Sequence, residues 1–193
     1  MNRRQLLTMA IAGPPAMAIA RLVSAQSGAV RPTPACGAAT IPQTEGPFFK
    51  ASSPERQSLI EPSTRGTRIV IEGTVLTTDC QPAPGALIDI WHADAEGRYD
   101  NSGNRFRGHQ FADDRGRFRI QTIVPGDYPG RTRHFHVKVQ PRGGRVLTTQ
   151  LYFADAPNNQ RDGIFDPSLV MKIKDVEGGK LAAFDFVVQK PGA

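Results

Sequence analysis

The stretch "GRFRIQTIV", residues 116–124, alternates with a period of two. Phe118 and Ile120 fall to one side; Arg117, Arg119 and Gln121 fall to the other. A strand with one buried face needs this pattern, because successive side chains point to opposite faces of a sheet. The pattern recurs from Arg68 onward. "RIVIEGTV", "ALIDIWHAD", "HFHVKVQ", "VLTTQLYFA", "LVMKIKDV" and "LAAFDFVVQ" are short β-type runs separated by turn-rich segments such as "TTDCQPAPG". With 19 Gly, 16 Pro and no legible long amphipathic helix, the chain is predicted to be all-β. The expected architecture is an antiparallel β-sandwich of about seven strands.

The organisation reads as three parts. Residues 1–25 form an export leader, 26–66 an extended N-terminal arm without a clear period, and 67–193 the sandwich domain. The leader "MNRRQLLTMAIAGPPAMAIARLVSAQS" has a basic start, an apolar middle and a small-residue exit at Val23-Ser24-Ala25, with cleavage expected after Ala25. Arg3-Arg4 followed by Leu6-Leu7 reads as a twin-arginine signal, with an ordinary secretory signal as the rival reading. The mature chain is thus expected to be exported, periplasmic or extracellular. No later stretch is apolar and long enough to span a bilayer, so no membrane partner is expected once the leader is gone.

Removing the three leader arginines lowers the formal charge from +6 to +3, and no Lys/Arg run dominates the rest. No nucleic-acid partner is expected. Export would permit Cys36 and Cys80 to form one disulfide; two unpaired, buried thiols are the other reading.

A different signal lies in "DYPGRTRHFHVKV", residues 127–139. If 134–139 is a strand, His134, His136 and Lys138 share one face, and Phe135, Val137 and Val139 the other. Two imidazoles about 6–7 Å apart along a strand are close enough to bind one metal. Alone, the pattern fits equally well a half-exposed strand that happens to carry two histidines. Tyr99 and Tyr128 each follow a turn; in isolation each is better read as core or rim. There is no Cys beside these histidines and no His-Glu-x-x-His helix, so zinc-hydrolase patterns do not fit.

Four segments in order carry a more specific signal: "TEGPFF" (44–49), "GALIDIWHADAEGRYDN" (85–101), "FRGHQFADDRGRFRIQTIVPGDYPGRTRHFHVKV" (106–139) and "LTTQLYFAD" (147–155). In these the chain resembles the intradiol ring-cleavage dioxygenases, non-haem iron(III) enzymes that open catechols, and most closely their short, exported, single-chain branch. The resemblance implies Tyr99, Tyr128, His134 and His136 as ligands of Fe(3+), with Tyr99 and His134 equatorial and Tyr128 and His136 axial. It implies Arg131 as the active-site arginine and Gln150 as the glutamine near the reacting carbon. Phe135 stands where the family more often has an aliphatic residue, and Ala93 where exported relatives often have cysteine.

The implied partners are a small-molecule catechol and O2, with homo-oligomerisation left open. In the implied reaction a catechol binds through both oxygens and Tyr128 leaves the metal and takes one substrate proton. The ring then opens between the two hydroxyl-bearing carbons to give a muconate-type diacid. Arg131 would stabilise developing negative charge. A phenol with an ordinary pKa near 10 is protonated at neutral pH, and a hard trivalent cation would displace that proton.

His92 and His109 match no ligand position and are expected at the surface or beside the site without touching the metal. Trp91 reads as core and Tyr152 as packing, while Pro47 and Phe48 are candidates for the substrate entrance. A rival of another class is a non-catalytic, secreted transthyretin-like binding module. A third reading keeps a metal but makes it copper or zinc. The joint presence of Tyr99, Tyr128, His134, His136, Arg131 and Gln150 favours the dioxygenase.

Overall fold

The computed structural model describes residues 37–192. The leader, with its Arg3-Arg4 pair and its cleavage site, and Cys36 lie outside the described residues. Cys80 is disulfide-bonded.

Among the described residues the chain forms nine strands: β1 (Arg68–Thr77), β2 (Leu87–Trp91), β3 (Arg107–Phe111), β4 (Arg117–Ile123), β5 (His134–Gln140), β6 (Leu147–Tyr152), β7 (Lys172–Val176), β8 (Gly179–Ala183) and β9 (Phe186–Val188). They build two sheets. One runs β4-β1-β8-β7, with β9 also pairing to β1; the other runs β3-β2-β5-β6. The β-sandwich expectation holds, with two differences. "RGHQF" is a strand that its weak alternation concealed, and β1 pairs in parallel with both β8 and β9.

The second difference has a local cause. "LAAFDFVVQ" is not one strand but breaks at Phe184-Asp185 where it crosses β1. Gly73 sits at the crossing, and a Cβ there would lie 1.7 Å from the Phe184 carbonyl oxygen. Only glycine lets the two backbones approach so closely. The Phe184 amide donates to the Glu72 carbonyl at 3.0 Å, and the Asp185 carboxylate accepts from the Thr74 amide at 2.7 Å.

The core lies between the sheets. Ile69, Ile71 and Val75 of β1 and Phe118 and Ile120 of β4 face Ile88, Ile90, Phe135, Val137, Val139 and Leu151 of the other sheet. Each side chain of this size stabilises the fold by about 1.5–3 kcal/mol on burial. The alternation read in β4 is the observed one, with Phe118 and Ile120 in and Arg117, Arg119 and Gln121 out.

The outer face of the β3-β2-β5-β6 sheet is not solvent-facing. Cross-strand register places Arg107, Trp91, His136 and Gln150 in one row across it, and His109, Asp89, Lys138 and Thr148 in the next. The arm covers both rows. It enters at the β6 edge, where the Gln43 amide donates to Thr148. It leaves along the β3 edge, where Arg56 and Pro54 pair with His109, and continues onto β4, where Gln57 and Leu59 pair with Gln121. The arm thus closes open sheet edges and buries a polar face that would otherwise be wet.

Candidate metal centre

β5 presents two histidines on the covered face, His134 4% and His136 3% exposed. The half-exposed alternative for this strand therefore does not hold. Their Nε2 atoms lie 3.0 Å apart and their rings are nearly perpendicular. Nδ1 of His134 lies 2.6 Å from the Thr132 carbonyl oxygen. A carbonyl can only accept, so this contact puts the proton on Nδ1 and leaves a lone pair on Nε2. Burial pushes His134 down to about 4 against the opposing pull of the Thr132 carbonyl. Burial, then the proximity of His134, pushes His136 down to about 2. Both rings are neutral at physiological pH, the form that coordinates a cation.

The tyrosines come from the two loops flanking this sheet row. In the loop after β2, the Asp94 carboxylate accepts from the Glu96 and Arg98 amides at 3.0 and 2.9 Å. The resulting tight turn delivers Tyr99. In the loop between β4 and β5, the Arg131 amide donates to the Tyr128 carbonyl at 2.8 Å, with Gly130 in the left-handed region at φ 78°. The Tyr99 ring centre is 6.0 Å from that of Tyr128 and 6.1 Å from that of His136. Neither phenol hydroxyl has a hydrogen-bond partner among the described residues. Burial raises the Tyr99 phenol above its ordinary value, while the Arg131 and Arg107 guanidinium groups pull it back toward the phenolate.

The arm roofs this cluster. Gly46, at φ +68°, sits so close that a Cβ would lie 3.1 Å from His136 Cε1. Phe48 stacks on Tyr99 at 4.5 Å and meets Tyr128 edge-on at 5.6 Å. Trp91 stacks on His136 with ring planes 3° apart. Among the described residues, Nδ1 of His136 and Nε1 of Trp91 are buried without a well-formed hydrogen bond, although the Thr44 backbone lies near enough to favour a proton on His136 slightly.

Arg131 is held on two sides. Its Nε donates to both oxygens of Asp162 at 2.9 and 3.0 Å, and its Nη2 to Gln150 Oε1 at 2.5 Å. Nη1 makes no hydrogen bond among the described residues. Gln150 Nε2 donates to the Thr44 carbonyl at 3.0 Å, and Tyr152 donates to Gln150 Oε1 at 2.9 Å. Tyr128, Arg131 and Asp162, with Pro129, Gly130, Asn158, Arg161 and Asp127, line a cavity of about 400 Å³, a size suited to a small molecule.

The six residues singled out from sequence are thus gathered on one face and its flanking loops. His92 is not at the surface: it is 1% exposed, its Nδ1 2.7 Å from the Ala93 carbonyl and its Nε2 2.6 Å from Thr122 Oγ1. His109 contacts Ser53 Oγ at 3.0 Å, and Ser53 donates to Asp89 at 2.9 Å, which fastens the arm. Tyr152 is buried as expected but also hydrogen-bonds into the site. Sequence reasoning missed Asp162, for which no motif or period gave a signal, and Arg107, which lies within the 106–139 segment but was given no role.

The donors fit a trivalent iron. Two imidazole nitrogens bound at right angles to one ion at about 2.1 Å would be about 3.0 Å apart, the spacing found here. Two phenols whose hydroxyls have no hydrogen-bond partner among the described residues supply the hard, ionisable oxygens that suit a ferric state. Among the described residues no three His, Cys, Asp or Glu side chains gather in a metal-binding group, so the tyrosines are essential to the fit.

Comparison with known proteins agrees. A dioxygenase family model matches residues 44–190, and the chain belongs to the intradiol ring-cleavage dioxygenase family. The structure is similar to the dioxygenase domain of a dioxygenase carbohydrate-binding protein fusion from Streptomyces sp. SirexAA-E. That likeness has a TM-score of 0.77 and 49% identity, covering 79% of this chain and 99% of the other. In sequence it is similar to a chlorocatechol 1,2-dioxygenase of a Pseudomonas species, at 29% identity over 77% of this chain and 70% of that one. It is also similar to the hydroxyquinol 1,2-dioxygenase of Rhodococcus opacus, at 33% identity over 88% of this chain and 61% of that one.

Proposed function

We propose that the protein cleaves a catechol-type ring between its two hydroxyl-bearing carbons, using O2 and an Fe(3+) held by Tyr99, Tyr128, His134 and His136. The observation that carries this reading is the facing pair of His134 and His136 Nε2 atoms, 3.0 Å apart, with two phenols nearby whose hydroxyls have no hydrogen-bond partner among the described residues. When bound, ferric iron supplies Lewis acidity that holds both catechol oxygens and makes the ring reactive toward O2.

The chain's own residues do the rest. Tyr128 lines the cavity, and in this reading its phenol oxygen takes a proton from an entering catechol hydroxyl. The Thr132 carbonyl keeps the His134 proton on Nδ1, away from the metal side. Arg131 keeps Nη1 for the negative charge that develops on the substrate, while Asp162 and Gln150 fix the plane of its guanidinium. Gln150 is engaged through both ends of its amide. Its main task here is to hold Arg131 and the Thr44 segment of the arm, with one N–H left for a substrate-derived oxygen. The arm excludes bulk water from the imidazoles, which strengthens these electrostatic interactions.

Oxygen uptake against a panel of catechols tests this. The reading predicts one O2 consumed per catechol and a muconate-type diacid as product. An iron-loaded protein that consumes no O2 with any catechol, or cleaves outside the hydroxyl-bearing carbons, would contradict it. A transthyretin-like binding module gives no reason for the six polar residues to share one covered face, and no observation favours it.

A further inference from the structure

We propose that Arg107 is a positioning residue that couples docking of the arm to placement of Tyr99, so that roof and ligand come together as one unit. The inference rests on the reading of Tyr99 as an iron ligand. Arg107 is 2% exposed. Its Nη1 donates to the Phe48 carbonyl at 2.7 Å; Nη2 and Nε donate to the Asp100 carbonyl at 3.0 and 3.2 Å. Every one of these acceptors is backbone. A buried guanidinium is normally matched by a carboxylate that accepts from its fork. Here the fork is used to clamp two segments that lie far apart in the chain.

The identity of those segments gives the clamp its meaning. Asp100 is the residue after Tyr99, so holding its carbonyl fixes the backbone from which the phenol projects. Phe48 is the arm residue stacked on the Tyr99 ring at 4.5 Å. One side chain therefore holds Tyr99 from its own main chain and from its stacking partner. Arg107 also stands directly across from Trp91 in the sheet, and Trp91 stands across from His136 and stacks on it. The clamp is thus set in the sheet row that carries a histidine ligand, so Tyr99 is referenced to β5 rather than to a free loop.

The test compares iron-loaded wild type with Arg107→Gln, Arg107→Lys and Thr149→Val. Thr149 ties the start of the arm through its hydroxyl to the Ile41 carbonyl at 2.8 Å, away from the clamp. Three readouts are taken: the rate of iron loss to a chelator, the visible phenolate-to-iron band, and amide exchange of residues 44–53 and 98–100. In Arg107→Gln, iron loss is expected to be about tenfold faster, the scale for losing a partner that orients a metal ligand. The band weakens, and both segments exchange faster together. Arg107→Lys does not rescue, because one ammonium cannot reproduce the fork. Thr149→Val loosens the arm's start but leaves the band in place.

A wild-type band and release rate in Arg107→Gln would overturn the proposal. So would faster exchange in one segment alone. If Arg107→Gln does not fold, Phe48→Leu, which keeps apolar bulk but removes the stack, should give the same change in the band; an unchanged band overturns the proposal. If wild type takes up no iron, the ligand reading fails instead, and exchange of the iron-free proteins still decides whether the two segments are coupled.

Discussion

Nε2 of His134 faces Nε2 of His136 across 3.0 Å, and the Thr132 carbonyl holds the His134 proton on the opposite nitrogen. Two nitrogen lone pairs this close repel unless a proton or a cation lies between them. We expect His134→Ala and His136→Ala each to fall at least about tenfold in iron affinity while keeping the β-sandwich. Iron per chain after dialysis against a weak chelator, with far-ultraviolet circular dichroism alongside, checks this. Full iron occupancy in either variant would remove that residue from the ligand set.

Tyr128 combines a cavity position with a hydroxyl that has no hydrogen-bond partner among the described residues. Tyr128→Phe is expected to keep the fold and to lower kcat by about a hundredfold, the lower range for loss of a proton-transfer group. Steady-state oxygen uptake with unsubstituted catechol measures it. Unchanged turnover would take Tyr128 out of the reaction.

Asp162 is the buried counter-charge of Arg131, its side chain 1% exposed. It also accepts from the Thr132 and Ile164 amides. Asp162→Asn leaves Arg131 without its anion and is expected to cost about 3 kcal/mol of stability, with a larger fractional loss in kcat than rise in KM. Urea unfolding and kinetics together read both effects. A variant as stable and as active as wild type would show that the ion pair does neither job.

Three buried rings make the iron-free protein acid-sensitive. Burial is the main cause that lowers His92 to about 3, His134 to about 4 and His136 to about 2, against about 6.5 in the unfolded chain. Below about pH 6.5 the unfolded chain takes up protons that the folded chain refuses, so stability is lost as pH falls. Each ring contributes a slope of up to about 1.4 kcal/mol per pH unit until its folded value is reached. Urea unfolding at about pH 7, 6 and 5 should show falling stability. His92→Gln, which leaves the histidine pair itself intact, should flatten the slope by about one proton. Equal stability at all three values would contradict the burial account.

Much of the candidate site was legible because its polar residues sit on strongly patterned elements. "HFHVKV" gave β5, its period of two put His134 and His136 on one face, and the order of four segments gave the tyrosines, Arg131 and Gln150. What was not legible depends on the arm and on tertiary contacts. Arg107 lies in a strand too short and too mixed to show alternation, and its partners are backbone carbonyls, which leave no trace in sequence. Asp162 pairs with Arg131 across a loop with no period. The two parallel pairings of β1 follow from the break at Phe184-Asp185 over Gly73, a close approach that a local pattern does not reveal. His92 read as a surface residue or a neighbour of the site, because Thr122, which its Nε2 contacts, is ordinary in sequence and becomes a partner only once the two sheets pack.

The visible and resonance Raman spectra of the iron-loaded protein test the central claim most directly. Four side chains converging on one ferric ion predict a wine-red protein with one iron per chain and a phenolate-to-iron band. Its tyrosinate vibrations should diminish in Tyr99→Phe and in Tyr128→Phe. A colourless protein carrying a full complement of iron, or a band indifferent to both substitutions, would contradict it.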